Sequence, residues 1–261
     1  MILSDAIRPL GDVPGPFWLA KRLEEVPNEV DWLSSEERQH LARLEVEKRR
    51  NDWLLGRWTA KAALRASPYS AGFDADPADL TVRQAADGAP EALLRGRPLP
   101  LALSISHRSG WGLCALAPEE RLVGCDLEVI EARSQAFLED YFTIQEQAAV
   151  RKAPADERDR LETLFWAAKE SALKALRLGL RADTRRIRAA VSSEPGADRE
   201  WCRLVVRDTQ SDLRFGGWWR LLGELAVVLV TSPPSGEPVA LAEDGSYGPG
   251  RAGRGGKGGD P

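Results

Sequence analysis

One pattern occurs twice in the chain. Trp58-Thr-Ala-Lys61 returns as Trp166-Ala-Ala-Lys169, and each copy runs on into small and aliphatic residues. Each lies upstream of a strand-like pair, 101–117 for the first and 201–231 for the second. So short a match also arises by chance between Ala-rich helices. Read as a true repeat, it predicts an α+β fold of two similar, pseudo-symmetric α/β halves that meet near residues 118–122. The divisions are then an N-terminal half at 1–120 and a C-terminal half at 121–240. A Gly-rich stretch at 241–261 is too poor in apolar residues to build a core and is expected to be disordered. The copies differ where chemistry needs them to: Ala62 stands where the second copy has Glu170.

The 261 residues, 43% hydrophobic and 29% charged, suffice for one substantial core or two small ones. A net charge of -4 argues against general nucleic-acid binding. No apolar run approaches the ~20 residues of a membrane span. The first residues, Met1 to Ala6, lack a basic region followed by an apolar core, so no signal peptide is expected. Cys114, Cys125 and Cys202 are few, odd in number and set among apolar residues, as reduced core thiols of a cytoplasmic protein would be. Two histidines and no Cys-x-x-Cys argue against zinc.

In chain order, Phe17 to Ala20 reads as an early strand, and Ser34 or Ser35 caps a helical region that runs to Ala66. This region is either one helix or a pair broken at Gly56. Residues 101–107 and 111–117 form a hairpin. A strand follows at 122–130, then helices near 135–141 and 144–152. The second Trp-x-Ala-Lys helix is expected to close at Gly179. Strands are expected at 187–191, 201–206 and 218–231.

Three stretches carry chemistry. In the helix through Phe165-Trp-Ala-Ala-Lys-Glu-Ser-Ala-Leu-Lys174, Trp166, Glu170 and Lys174 lie four apart and share a face. In Val123-Gly-Cys-Asp-Leu-Glu128, alternation puts Asp126 and Glu128 on one face. Like charges crowded in this way call for a cation, and hard carboxylate oxygens suit Mg²⁺ or Mn²⁺. Glu170 is the third candidate ligand. A solvated acidic strand would show the same pattern. Ser104-Ile-Ser-His-Arg108 ends a strand in donors suited to phosphate, although an ordinary polar hairpin loop would read alike.

Taken in order, Ser-Ile-Ser-His (104–107), Val-Gly-Cys-Asp-Leu-Glu (123–128) and the helix at 165–174 resemble the signatures of the 4′-phosphopantetheinyl transferases, and more closely the two-half, monomeric Sfp-type. The resemblance covers about 35–206. It implies that type of fold, with the active site in the cleft between the halves. The implied enzyme is a holo-[acyl-carrier-protein] synthase that moves the phosphopantetheine arm of coenzyme A to a serine of an acyl or peptidyl carrier protein and releases 3′,5′-ADP. By motif, Asp126, Glu128 and Glu170 would hold Mg²⁺ (or Mn²⁺). Glu170 would be the base, and Lys169 and Lys174 would neutralise the phosphates and supply a proton to the leaving group. His107, with Ser106 and Arg108, would meet the nucleotide end. Arg57, Arg83 and His40 are further candidates there, and Glu146 matches an acidic position without an assigned role. The implied partners are the carrier and coenzyme A, with no nucleic acid or membrane, and the chain would work as a cytoplasmic monomer.

The chain departs from the family pattern in its first helix. Glu37 and His40 stand near places where basic residues are usual, and Gly88-Ala89-Pro90 lacks a lysine. A catalytically silent coenzyme A- or carrier-binding homologue is the alternative. It predicts loss of an acidic ligand or a lysine, and all of these are present.

Overall fold

The computed structural model describes residues 15–70, 75–191, 200–242 and 247–248. In chain order the elements are β1 (Phe17–Arg22), α1 (Ser35–Leu41), α2 (Glu47–Ala66), β2 (Leu80–Gln84), β3 (Pro90–Leu94), β4 (Arg97–Pro98), β5 (Leu101–Arg108), β6 (Trp111–Pro118) and β7 (Leu122–Val129). They continue with α3 (Gln135–Tyr141), α4 (Ile144–Lys152), α5 (Arg158–Ala175), β8 (Ile187–Val191), β9 (Cys202–Asp208), β10 (Arg214–Leu222), β11 (Leu225–Ser232), β12 (Val239–Leu241) and β13 (Tyr247–Gly248). This is an α+β fold. One sheet has the order β13-β12-β1-β6-β5, a second β7-β11-β10-β9-β8, and a third β2-β3-β4.

The two five-stranded sheets face each other. Leu113, Ala115 and Ala117 of β6 meet Val123, Cys125 and Leu127 of β7, with Val227, Leu229, Trp18, Trp201 and Trp218 completing the core. Each such side chain, when fully buried, contributes about 1.5–3 kcal/mol. Helix α2 covers the outer face of the first sheet through Ala60, Ala63 and Leu64. Helix α5 covers the outer face of the second through Leu164, Ala168, Ala172 and Leu173. Both helices seat on a glycine. A Cβ on Gly112 would lie 2.5 Å from Thr59 Oγ1, and one on Gly124 would lie 1.8 Å from the Ser171 carbonyl oxygen. Only a residue without a side chain permits these approaches.

Several details differ from the sequence reading. The helical region before Ala66 is a pair, but the break falls at 42–46 between α1 and α2, and α2 runs unbroken through Gly56, whose bare face lies under Ile105 and His107. The expected 218–231 strand is a hairpin turning at Gly223, where φ is 61°. Helix α5 ends at Ala175 rather than at Gly179; Arg177 takes the left-handed position (φ 58°), and the Leu178 N–H bonds back to the Leu173 carbonyl at 3.0 Å. Such a bond marks a Schellman cap. From the C-terminal region, β12 joins the first sheet beside β1, and Tyr247 and Gly248 pair with Leu241 and Ala240. The remainder of 241–261 expected to be disordered, 243–246 and 249–261, lies outside the described residues, as do residues 1–14. Among the described residues no helix is long and apolar enough to cross a membrane. All three cysteines are buried and none forms a disulfide.

Candidate active site

Strand β7 and helix α5 build the site between them. Alternation turns Val123, Cys125 and Leu127 into the core between the sheets and leaves Gly124, Asp126 and Glu128 toward α5. From α5, Trp166, Glu170 and Lys174 come one turn apart along the face that meets this strand. Lys174 Nζ donates to Asp126 Oδ1 at 2.7 Å, to Ser106 Oγ at 2.9 Å and to the Cys125 carbonyl at 3.2 Å. Ser106 Oγ in turn donates to Asp126 Oδ1 at 2.7 Å. Trp166 Nε1 donates to Glu128 Oε1 at 3.2 Å. Arg108 stands 3.3 Å and Arg133 3.8 Å from Glu128 Oε2.

The electrostatics follow from burial and crowding. Burial pushes the Glu170 carboxyl up to about 7; Asp126 and Glu128 add to the rise and Lys174 opposes it. Glu128 is raised by burial and then by Asp126, against Arg108, Arg133 and Trp166. Burial alone would lower the Lys174 ammonium, but Asp126, Cys125 and Glu170 outweigh it, and the group stays charged. Lys174 pairs with Asp126, and Arg108 and Arg133 pair with Glu128.

Two oxygens test the fit of a metal. Asp126 Oδ2 and Glu128 Oε2 are buried and accept no hydrogen bond, and of the two only Glu128 Oε2 has ion-pair partners, Arg108 and Arg133. Buried acceptors of this kind are costly unless a cation or donor meets them. Three neighbouring carboxylates, of which Asp126 raises both Glu128 and Glu170 and leaves its own Oδ2 without a hydrogen bond, fit a hard divalent cation by donor chemistry. As placed, no three His, Cys, Asp or Glu side chains among the described residues stand close enough together to enclose a metal.

Lys169 is not in this site. Its neighbour Glu170 faces β7, and successive residues of a helix point about 100° apart. Lys169 is fully buried, 2.9 Å from Glu146, and donates to the Thr184 and Ile187 carbonyls. The first Trp-x-Ala-Lys copy repeats this arrangement. Lys61 is also fully buried, 2.5 Å from Glu37, and donates to the Trp32 and Pro77 carbonyls. Each glutamate closes a capping box, with Ser34 for Glu37 and with Thr143 for Glu146. Each also accepts a strand N–H, from Val82 at 3.0 Å and from Ala189 at 2.9 Å. Glu37 therefore belongs to the core and not to a nucleotide-binding surface, and Glu146 acquires a structural role. Sequence reasoning passed over a readable signal: Ser/Thr-x-x-Glu stands upstream of both copies.

His107 faces the other way from Ser106. It opens into a cleft of ≈ 380 Å³ lined also by Arg49, Asp52, Trp53, Gly56 and Arg57. Burial lowers the His107 imidazole, against the pull of Asp52. Arg57 lies 5.0 Å over the Trp53 ring, and its buried Nε has no hydrogen-bond partner. Arg49 lines this cleft although the sequence reading did not select it. His40 stacks on Trp53 at 5.1 Å and is not among the lining residues. Arg83 pairs with Glu91 across β2 and β3 at 3.5 Å and is likewise outside it. Arg108 divides its guanidinium between Glu128 and Glu131. A second cleft, of ≈ 670 Å³, runs from the β2–β3 turn past Leu103 and Ser104 to Lys174 and the end of α5.

Residues 122–223 match the family described as ACPS, the 4′-phosphopantetheinyl transferase superfamily. The match runs from β7 into β10 and so includes Asp126, Glu128, Glu170 and Lys174. Among solved structures, the chain is similar to Thermotoga maritima holo-[acyl-carrier-protein] synthase (AcpS), at 18% identity over 50% of this chain and 76% of that one, with a TM-score of 0.34. No curated protein matches significantly.

Proposed function

With residues 122–223 matching the 4′-phosphopantetheinyl transferase superfamily, we propose that the chain transfers the 4′-phosphopantetheine arm of coenzyme A to a serine of an acyl or peptidyl carrier protein. The reaction depends on Mg²⁺ and releases 3′,5′-ADP. The observation that carries this reading is the half-buried Glu170 carboxyl, raised to about 7, beside the Ser106–Asp126–Lys174 chain and the unbonded Asp126 Oδ2.

Asp126, Glu128 and Glu170 would hold the cation, which when bound withdraws charge from the pyrophosphate oxygens. The chain's own residues do the remaining work. Glu170 takes the proton of the carrier serine as its oxygen attacks the phosphorus next to pantetheine. Without the cation the Glu170 carboxyl is raised to about 7, near the range that suits a general base, and a bound cation would draw it down. The bond to the bridging oxygen breaks, and the electron pair leaves with 3′,5′-ADP. Lys174, held by Ser106 and Asp126, stands where an ammonium stabilises charge on the departing phosphate. His107, Arg57 and Arg49 offer donors for the nucleotide phosphate in their shared cleft. The same reading takes the chain as a cytoplasmic monomer, the compartment in keeping with three buried cysteines that form no disulfide.

The test is mass spectrometry of an apo carrier incubated with coenzyme A, Mg²⁺ and the protein. The carrier should gain the mass of phosphopantetheine, and the gain should vanish with Glu170→Gln. Folded protein that binds coenzyme A yet modifies none of several carriers would overturn the proposal.

A further inference from the structure

The turn joining β2 to β3 is a wall common to both clefts. Gly88 and Pro90 line the ≈ 380 Å³ cleft of His107 and also the ≈ 670 Å³ cleft that reaches Lys174. Within itself the turn is an ordinary hairpin, with Ala85 N–H bonded to the Ala89 carbonyl at 2.8 Å and Gly88 N–H to the Ala85 carbonyl at 2.9 Å. At Gly88 the chain takes φ +90°, with open space around it. Ties to the far side come from the end of α5. Arg177 Nε lies 2.8 Å from Asp87 Oδ2, Arg177 also stands 3.5 Å from Glu91, and Arg181 donates to the Asp87 carbonyl at 2.8 Å.

Arg177 makes these contacts from a backbone position that disfavours it. It follows α5 in the left-handed region, at φ 58°, where glycine is the usual occupant and a Cβ is strained. The strained residue is the one whose guanidinium reaches across the cleft, three positions beyond Lys174. Exposed ion pairs add little to stability one by one. Three contacts converging on one turn instead narrow the positions that turn can take, and a preformed wall lowers the ordering cost of binding.

We propose that Arg177 is a positioning residue: with Arg181 it latches the β2–β3 turn to the end of α5 and sets the wall shared by the two clefts. The role in binding rests on the reading that coenzyme A occupies these clefts.

Arg177→Gly and Arg177→Asn both accept the left-handed backbone and remove its contacts to Asp87 and Glu91, and Asp87→Asn removes the Asp87 ion pair from the other side while Arg181 still meets the Asp87 carbonyl. The expected result is unchanged or higher thermal stability, faster amide exchange at 85–91, and a several-fold rise in both the coenzyme A dissociation constant and its KM, with kcat little changed. A merely structural residue would lower the melting temperature on substitution and leave that split alone. Unchanged exchange at 85–91 in Arg177→Gly and Asp87→Asn overturns the latch whatever the substrate. Faster exchange with unaltered coenzyme A affinity overturns its role in binding. A wild-type protein that binds no coenzyme A would remove the substrate reading, while faster exchange in the variants would still establish the latch.

Discussion

The Lys169 ammonium sits 2.9 Å from the Glu146 carboxylate with both side chains buried, and Lys61 makes the same contact with Glu37 in the other copy of the motif. The adjacent pair Lys169-Glu170 is thereby divided. The lysine ties α5 to α4 and to the start of β8, and the glutamate faces β7. Burial lowers both lysine ammonium groups, against the opposing pull of Glu146 and Glu37.

Removing one partner of such a pair leaves an uncompensated charge inside the protein. Lys169→Met should cost about 3–5 kcal/mol of stability, and so should Lys61→Met. Urea unfolding measures both, and the double variant Lys169→Met/Glu146→Gln should lose less than Lys169→Met alone. A Lys169→Met protein that is fully folded at the assay temperature yet inactive would return this lysine to the reaction.

Glu170→Gln should reduce transfer at least about 10²-fold, the usual scale of a general base. It should also stabilise the metal-free protein at pH 8. The sign follows from the raised carboxyl: folding disfavours its ionised form, so the wild type is penalised above the unfolded pKa near 4. The variant's advantage should shrink as pH falls toward that value. Mg²⁺ or Mn²⁺ at a hundred times its dissociation constant should add about 2.7 kcal/mol to the wild type by mass action. Thermal melts with and without chelator read this, and Asp126→Asn should abolish the gain. Identical melting of the wild type under both conditions counts against a cation at these carboxylates.

Gly124→Ala drives a methyl into backbone, since the Ser171 carbonyl oxygen would be 1.8 Å and the Ala175 nitrogen 3.0 Å away. No rotamer change relieves such a clash. The variant should lose at least about 1–3 kcal/mol and should also lose transfer, because α5 must move off the strand that carries Asp126. Full activity at an unaltered unfolding midpoint would show that the helix can shift without disturbing the site.

Arg186 bonds Asp208 twice, at 2.8 and 2.6 Å, and with Ser211 and the Gln210 N–H holds its carboxyl far below the usual range, although burial opposes this. A depressed carboxyl stabilises the fold above its unfolded pKa of about 4. The contribution then fades as pH falls toward the folded value. Asp208→Asn should therefore cost about 1–3 kcal/mol at pH 7, and the gap to wild type should close in acid. A constant gap from pH 7 to pH 3 would be the contrary result in equilibrium unfolding.

Local rules account for much of the fold. Helices at 135–141 and 144–152, the hairpin of β5 and β6 and the helix through 165–174 are all legible, since period and composition act within a few residues. The capping boxes at Ser34 and Thr143 were equally legible, and they mark the glutamates that bury against Lys61 and Lys169. Contacts between distant segments were less so. Arg49, Arg57 and His107 share a cleft while Arg83 and His40 stay outside it, and no spacing in the chain separates these side chains.

The sequence by itself determined which faces its elements have. Asp126 and Glu128 share one side of β7, and Glu170 and Lys174 share one side of α5, because backbone geometry sets side-chain direction within one or two turns. Only the tertiary structure decided what each face meets. Lys169 and Lys174 are the same residue type on one helix, yet one is sealed against Glu146 and β8 and the other reaches Asp126 and Ser106 at the mouth of a cleft. Their roles part because burial and charge pairing depend on which strand packs against each side of the helix, and that is a property of the whole chain's folding.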